Sequence, residues 1–302
     1  MSSIAVTVDA RVRRAGWLAL AAAVMTVGLI VYGGWVRASG SGLGCPDWPL
    51  CEGTALPTLE GDTAIEFGHR FYAGMTMLVT AAAAVFAARA RRVNPGLARL
   101  LGGAFVLIVV QAGLGGATVL TELEGGVRLA HLIFAMSTLG LLTAGALVAL
   151  DVAPSHRPGV AVTSVLLGLG AAVLFFGGGI VGSDLSPACP SLPFCDGSTS
   201  AEGAFLHNIH RAGGAVLLVG LAYAGVLMAR ARGRGGPSAT RLAVGMNHTA
   251  AALLLAQGFV GIAVVKTDAI TEHWRVLHLG IATLAWWALV TSWVLALRVR
   301  AQ

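Results

Sequence analysis

The chain has 302 residues, 56% of them apolar and 11% charged, and its mean hydropathy is +0.80. Soluble domains carry about 25% charged residues, so a water-soluble globular fold is excluded and the solvent is lipid. The net charge of +6 and pI near 9.8 would suit a nucleic-acid binder, but the placement of the charges excludes that partner.

The apolar runs lack the alternation of barrel strands, so they read as helices, each long enough to cross a hydrocarbon core of about 30 Å. Eight spans are predicted, at 16–37, 66–88, 98–120, 127–150, 160–182, 204–229, 242–265 and 274–297. The expected fold is an all-α membrane protein. Arg11, Arg13 and Arg14 precede the first span. That span outruns the apolar part of a signal peptide and ends at Arg37 without a good cleavage site, so it is expected to be a retained helix. Arg89, Arg91, Arg92 and Arg99 fall between spans two and three, and Arg157 between four and five. Arg230, Arg232, Arg234 and Arg241 fall between six and seven, and Arg298 and Arg300 follow span eight. With eight spans these share one side, which the positive-inside rule makes the cytoplasm, holding both termini. Asp47, Glu52, Glu60, Asp62, Glu122, Glu124, Asp184, Asp196, Glu202, Asp268 and Glu272 fall in the opposite loops. A bacterial plasma membrane is the expected location.

The sequence repeats itself at a nearly constant offset of about 145 residues. GGWVRASGSGLGCPDWPLC, from Gly33 to Cys51, pairs with GGIVGSDLSPACPSLPFC, which ends at Cys195, and both hold C-P-x-x-P-x-C. His69-Arg70 pairs with His210-Arg211, Gln111–Val119 with the stretch from Gln257, and Arg128…His131 with Arg275…His278. Each copy has four spans, so the copies share orientation and should be related by a pseudo-two-fold along the membrane normal. The predicted organisation is an N-terminal arm (1–15), an N-terminal four-helix unit (16–150), a cytoplasmic linker (151–159), a C-terminal four-helix unit (160–297) and a tail (298–302).

Ionisable residues inside a span mark function, because lipid makes them costly. His69 and His131 sit near the outer ends of spans two and four, and His210 and His278 at the equivalent places in six and eight. Such a pair can ligate a haem iron on both axial sides, or one metal ion. The arginines decide for haem. Arg128 and Arg275 precede a histidine by three residues and share its helix face; Arg70 and Arg211 directly follow the other two. Cations at the outer boundary call for anions, and haem propionates would serve; snorkelling to headgroups is the bland alternative. His156, His248 and His273 have no repeat counterpart and read as structural or solvated.

The copies differ at one position. Glu66 stands three residues before His69, on its helix face, and His207 stands three before His210. Glu66 could accept a proton or orient water, or merely cap its helix. His207 could be a spare ligand or a propionate donor. The cysteines Cys45/Cys51 and Cys189/Cys195 are separated by five residues in each pair. An oxidising outer compartment favours the disulfides Cys45–Cys51 and Cys189–Cys195; a transient redox role is the alternative.

These features together resemble the haem A synthase family over residues 16–297. The carrying motifs are S-G-L-G-C at Ser41–Cys45, E-x-x-H-R at Glu66–Arg70, the Gln111–Val119 stretch, His210-Arg211 and His278. The resemblance implies oxidation of the C8 methyl of haem O to a formyl group by successive hydroxylations. It implies a haem b cofactor between His210 and His278, substrate haem between His69 and His131, and Glu66 as the catalytic carboxylate. It also implies a farnesyl tail on the substrate lying in an apolar groove open to lipid. A haem O synthase is a candidate partner, and an electron acceptor is required that the sequence does not name. Three other readings compete: a di-haem b-type electron carrier, a haem transporter or chaperone, and a thiol–disulfide relay.

Overall fold

Asp9 starts the first helix. Its side chain accepts the Arg11 N–H at 2.7 Å, so α1 (Ala10–Ala38) begins well before the apolar run. A computed structural model describes residues 9–150, 160–185, 189–195, 200–232, 238–267 and 272–297. A single 3-10 turn (Ser41–Leu43) leads to α2 (Gly61–Arg89), α3 (Pro95–Leu120) and α4 (Gly125–Ala149). Then come α5 (Val160–Gly182), α6 (Ala201–Arg232), α7 (Ser238–Lys266) and α8 (Glu272–Leu297). All eight are long and apolar enough to cross a membrane, so the chain is a multi-pass, all-helical membrane protein. The linker 151–159 with His156 and Arg157, the tail with Arg298 and Arg300, and Arg234, Asp196 and Asp268 lie outside the described residues, as do residues 1–8 of the arm.

The helix ends differ from the hydropathy expectation where capping chemistry acts. Asn94 accepts the Leu97 N–H at 2.9 Å and Pro95 opens α3, the preferred place for a residue lacking an N–H. Glu124 accepts the N–H groups of Gly126 (2.9 Å) and Val127 (2.7 Å), which starts α4. Arg89, Arg99, Arg230, Arg232 and Arg241, expected in connections, are terminal turns of helices instead.

In the first half, α1 packs on α2 and α4, α2 on α3, and α3 on α4; α5–α8 make the same closed ring. Between the rings α4 meets α5 and α8, and α1 meets α8. Lipid supplies no hydrophobic drive between helices, so close approach of small residues does the work. Ala15, Ala19, Ala22 and Ala23 of α1 and Ala83 and Ala87 of α2 are wholly buried. A Cβ on Gly16 would stand 2.7 Å from that of Ala149. Two inter-ring contacts are equivalents: Gly34 of α1 lies against Leu279 of α8, and Gly178 of α5 against Leu129 and Leu132 of α4. Trp286 Nε1 of α8 donates to Met136 O of α4 at 3.1 Å. On the lipid side, Val165, Val219 and Phe259 are exposed.

Candidate functional site

Each of the four repeat-matched histidines is met by a glycine of the adjacent helix. His69 (α2) lies against Gly33 (α1), His131 (α4) against Gly115 (α3), His210 (α6) against Gly177 (α5) and His278 (α8) against Gly261 (α7). A Cβ at Gly177 would stand 2.7 Å from His210 Cε1, one at Gly33 3.1 Å from His69 Cε1, and one at Gly261 3.3 Å from His278 Cε1. The helices approach closely there because nothing but imidazole fills the gap.

In the second half the His210 and His278 rings face one another with centroids 6.4 Å apart and planes tilted by 60°. An iron held on both axial sides by imidazoles at about 2 Å per bond separates the ring centroids by about 6 Å. The spacing therefore fits a bis-histidine haem. His210 Nδ1 lies 3.0 Å from Val173 O, the backbone contact that leaves Nε2 for a metal. His278 Nδ1 is buried without a partner among the described residues.

In the first half other side chains attend each histidine. Nδ1 of both His69 and His131 is buried without a partner among the described residues. Tyr32 meets the His69 ring edge-on at 5.6 Å, and Gln111 Nε2 donates to His131 O at 2.7 Å. Among the described residues no group of three or more His, Cys, Asp or Glu could hold one metal ion. The spacing of His210 and His278 suits a planar cofactor held between them.

Glu66 is buried at 4% exposure and lies a turn inside α2, so it is no helix cap. Its Oε1 accepts from Arg70 Nη2 at 2.6 Å and its Oε2 from Cys45 N at 2.9 Å. Arg70 also binds three carbonyls of the Cys45–Cys51 loop, those of Cys45, Asp47 and Leu50, each at 2.8 Å. The loop is closed by its disulfide and lies over the bundle, with Trp48 against Gly116 of α3. Asp47 ties the loop's return by accepting from Glu52 N (2.6 Å) and Gly53 N (3.0 Å). Those bonds, Gly53 foremost, hold its carboxyl below the usual range.

The second half copies the clamp. Arg211 binds the carbonyls of Ser191, Pro193 and Cys189, and Cys189 is bridged to Cys195. Asn208 Oδ1 takes the Cys195 N–H at 2.8 Å. His207 stands where Glu66 does, but its Nε2 lies 2.9 Å from Leu185 O. Arg70 and Arg211, expected to face propionates, thus spend their donors on loop carbonyls. Arg128 donates to Gly182 O at 3.0 Å and pairs with Asp184 at 3.2 Å, while its Nε and that of Arg275 are buried with no partner among the described residues. His248 packs against Gly225 of α6, and His273 is exposed at the start of α8.

The sequence reading overlooked Arg37. It stands in the last turn of α1, donates to Val181 O at 3.2 Å, lies 3.6 Å from Asp184, and has a buried Nε with no partner among the described residues. Because it has no arginine counterpart, a repeat-based search passes over it. A cation at the outer boundary was the available signal.

The model of the COX15-CtaA family, described as cytochrome oxidase assembly protein, matches residues 16–64 and 60–290. The chain belongs to this family. Among similar proteins, a heme A synthase of Symbiobacterium thermophilum is 31% identical over 269 residues, covering 82% of this chain and 88% of that protein. A heme A synthase of Shewanella oneidensis is 27% identical over 207 residues, covering 60% and 61%. A protoheme IX farnesyltransferase of Thermus thermophilus is 30% identical over 277 residues, covering 85% of this chain but 44% of that protein. The match to the COX15-CtaA family takes in all four histidines and Glu66.

Proposed function

We infer that the chain is a haem A synthase, a membrane oxidoreductase that converts the C8 methyl of haem O to a formyl group. Two hydroxylations of one carbon followed by loss of water from the geminal diol account for that change. The observation that carries the residue assignment is Glu66, the one buried acid among the described residues, beside only one of two matched histidine pairs.

On this reading His69 and His131 hold the substrate haem and Glu66 is the catalytic carboxylate. Arg70 and Cys45 N fix both carboxylate oxygens, and each oxygen keeps a lone pair for a proton from the substrate side. The disulfide loop, held by Arg70 and by Trp48 on Gly116, covers the first site and keeps bulk water from it. His210 and His278 hold a haem b, which supplies one-electron transfer. Arg128 and Arg275, one turn outward of His131 and His278, are placed for propionates. His207, bonded to a backbone carbonyl, orders the loop of the second site.

The haem sites face the outer side and both termini face the cytoplasm, a reading that the arginine distribution supports. The farnesyl tail of haem O lies between helices of the first half, open to lipid. A haem O synthase is the natural neighbour; the resemblance to part of a protoheme IX farnesyltransferase supports that.

The test is expression in a host that makes haem O and lacks this activity, followed by extraction of the haems. Haem A is expected. Absence of both haem A and hydroxylated haem O would sink the assignment and favour a di-haem electron carrier.

A further inference from the structure

Arg37, Arg128 and Arg275 come from three helices and both halves, α1, α4 and α8. Arg37 and Arg128 both reach across the junction to the outer end of α5, bonding Val181 O and Gly182 O. They share one acid, Asp184, whose side chain is 73% exposed. Arg128 and Arg275 both lie within electrostatic reach of Arg37. All three Nε atoms are buried without a partner among the described residues. Among the described residues, three guanidinium groups against one solvated carboxylate leave two positive charges and three donors without an answering anion. Such an imbalance at a membrane boundary is costly unless a ligand supplies the anion.

The position of Arg37 says which ligand. Aligning Gly33 with Gly177, the glycines that face His69 and His210, aligns Arg37 with Val181. Arg37 therefore bonds the carbonyl of its own counterpart. A residue can do so only where the two halves meet on their common axis. Arg37 lies one turn outward of Gly33, and Arg128 and Arg275 one turn outward of His131 and His278. The cluster thus draws on residues one turn from the histidines of both halves.

We propose that Arg37, Arg128 and Arg275 form one carboxylate site on the axis between the halves, taking a propionate from the haem of each half. The proposal rests on the two-haem reading above and adds a link between the sites. Arg128 and Arg275 each serve the haem of their own helix, and Arg37 serves both. Arg37 is a positioning residue; it would bind a propionate of each group and add its charge to the field that each iron feels.

The test is the midpoint potential of the retained haem b in purified Arg37→Gln, Arg37→Lys and Asp184→Asn proteins, with substrate-haem affinity and Tm measured alongside. Loss of a cation disfavours the reduced haem. Arg37→Gln should lower the potential by an amount equal to roughly a 2- to 20-fold change in the reduced-to-oxidised ratio. That is the Coulomb effect of one charge about 10 Å from iron at effective dielectrics of 80 to 20. It should also weaken substrate haem in the other half. Asp184→Asn removes an anion and should shift the potential the opposite way, and Arg37→Lys should restore it. Unchanged potential and affinity in Arg37→Gln would overturn the proposal. So would equal-sign shifts in Arg37→Gln and Asp184→Asn with a common fall in Tm, the mark of a purely structural tie to α5. A shift seen only in vesicles containing phosphatidylglycerol would assign the cluster to lipid and overturn it too. Absence of haem b from the parental protein would instead defeat the two-haem reading itself.

Discussion

Glu66 and His207 occupy the same place in the two copies, yet their bonds differ in kind. Glu66 is a buried acid held by Arg70 and a loop N–H; the Nε2 of His207 meets the backbone carbonyl of Leu185. The sequence marked the mismatch, but the clamp around it was invisible. Arg70 and Arg211 were expected to face propionates because a cation at the outer boundary wants an anion. Loop carbonyls were the competing acceptors, and they are brought into reach by a disulfide-closed turn that no helix periodicity encodes. The histidines carry a prediction that separates the halves. His210→Ala or His278→Ala should remove the haem b absorption spectrum of the purified protein. His69→Ala or His131→Ala should keep that spectrum and abolish conversion of haem O. A normal spectrum in both of the first two variants would contradict the assignment.

At the level of helices and loops, the expected spans were correct in number and nearly so in extent, because length and hydropathy decide what crosses a bilayer. The early starts of α1, α3 and α4 come from Asp9, Asn94 with Pro95, and Glu124, whose capping is local chemistry that hydropathy averages away. The glycine contacts make a graded prediction. Gly177→Ala would put a Cβ 2.7 Å from His210, so the ring must move and haem b per protein should fall; overpacking of this kind costs about 1–3 kcal/mol. Gly115→Ala would make an ordinary 3.4 Å contact with His131 and should leave haem b retention unchanged. Haem-to-protein ratios of the two variants check this. The Cys45–Cys51 loop has its own pH dependence. Asp47 titrates below its ordinary value in the folded loop, so its stabilisation is present above about pH 4 and is lost as pH falls through the lower folded value. Proteolysis of the loop should therefore be flat through neutral pH and rise only in strong acid, and Asp47→Asn should remove that acid dependence.

Across the whole molecule, the repeat was legible because short motifs recur at one offset, and it doubled every weak histidine signal. What stayed hidden is where the two copies meet. Contacts such as Gly34 with Leu279, and Gly178 with Leu132, join residues far apart in sequence and carry no polar signature. Arg37 was missed for a related reason: a residue at the junction need not be duplicated to serve both halves. The proposed orientation rests on charge placement alone; on it, a reporter fused after residue 297 should be active only in its cytoplasmic form. Alkylation without reductant should label none of the four cysteines.

The division of labour is tested most directly by the haems extracted from a Glu66→Gln protein made in a haem O-producing host. A carboxylate that transfers protons in the reaction is worth about 10²- to 10⁴-fold in rate. The protein should therefore carry haem b and unconverted haem O, with haem A reduced to traces. Haem A at the parental level would contradict the account, because the half that differs from its copy by one buried acid would then owe nothing to it.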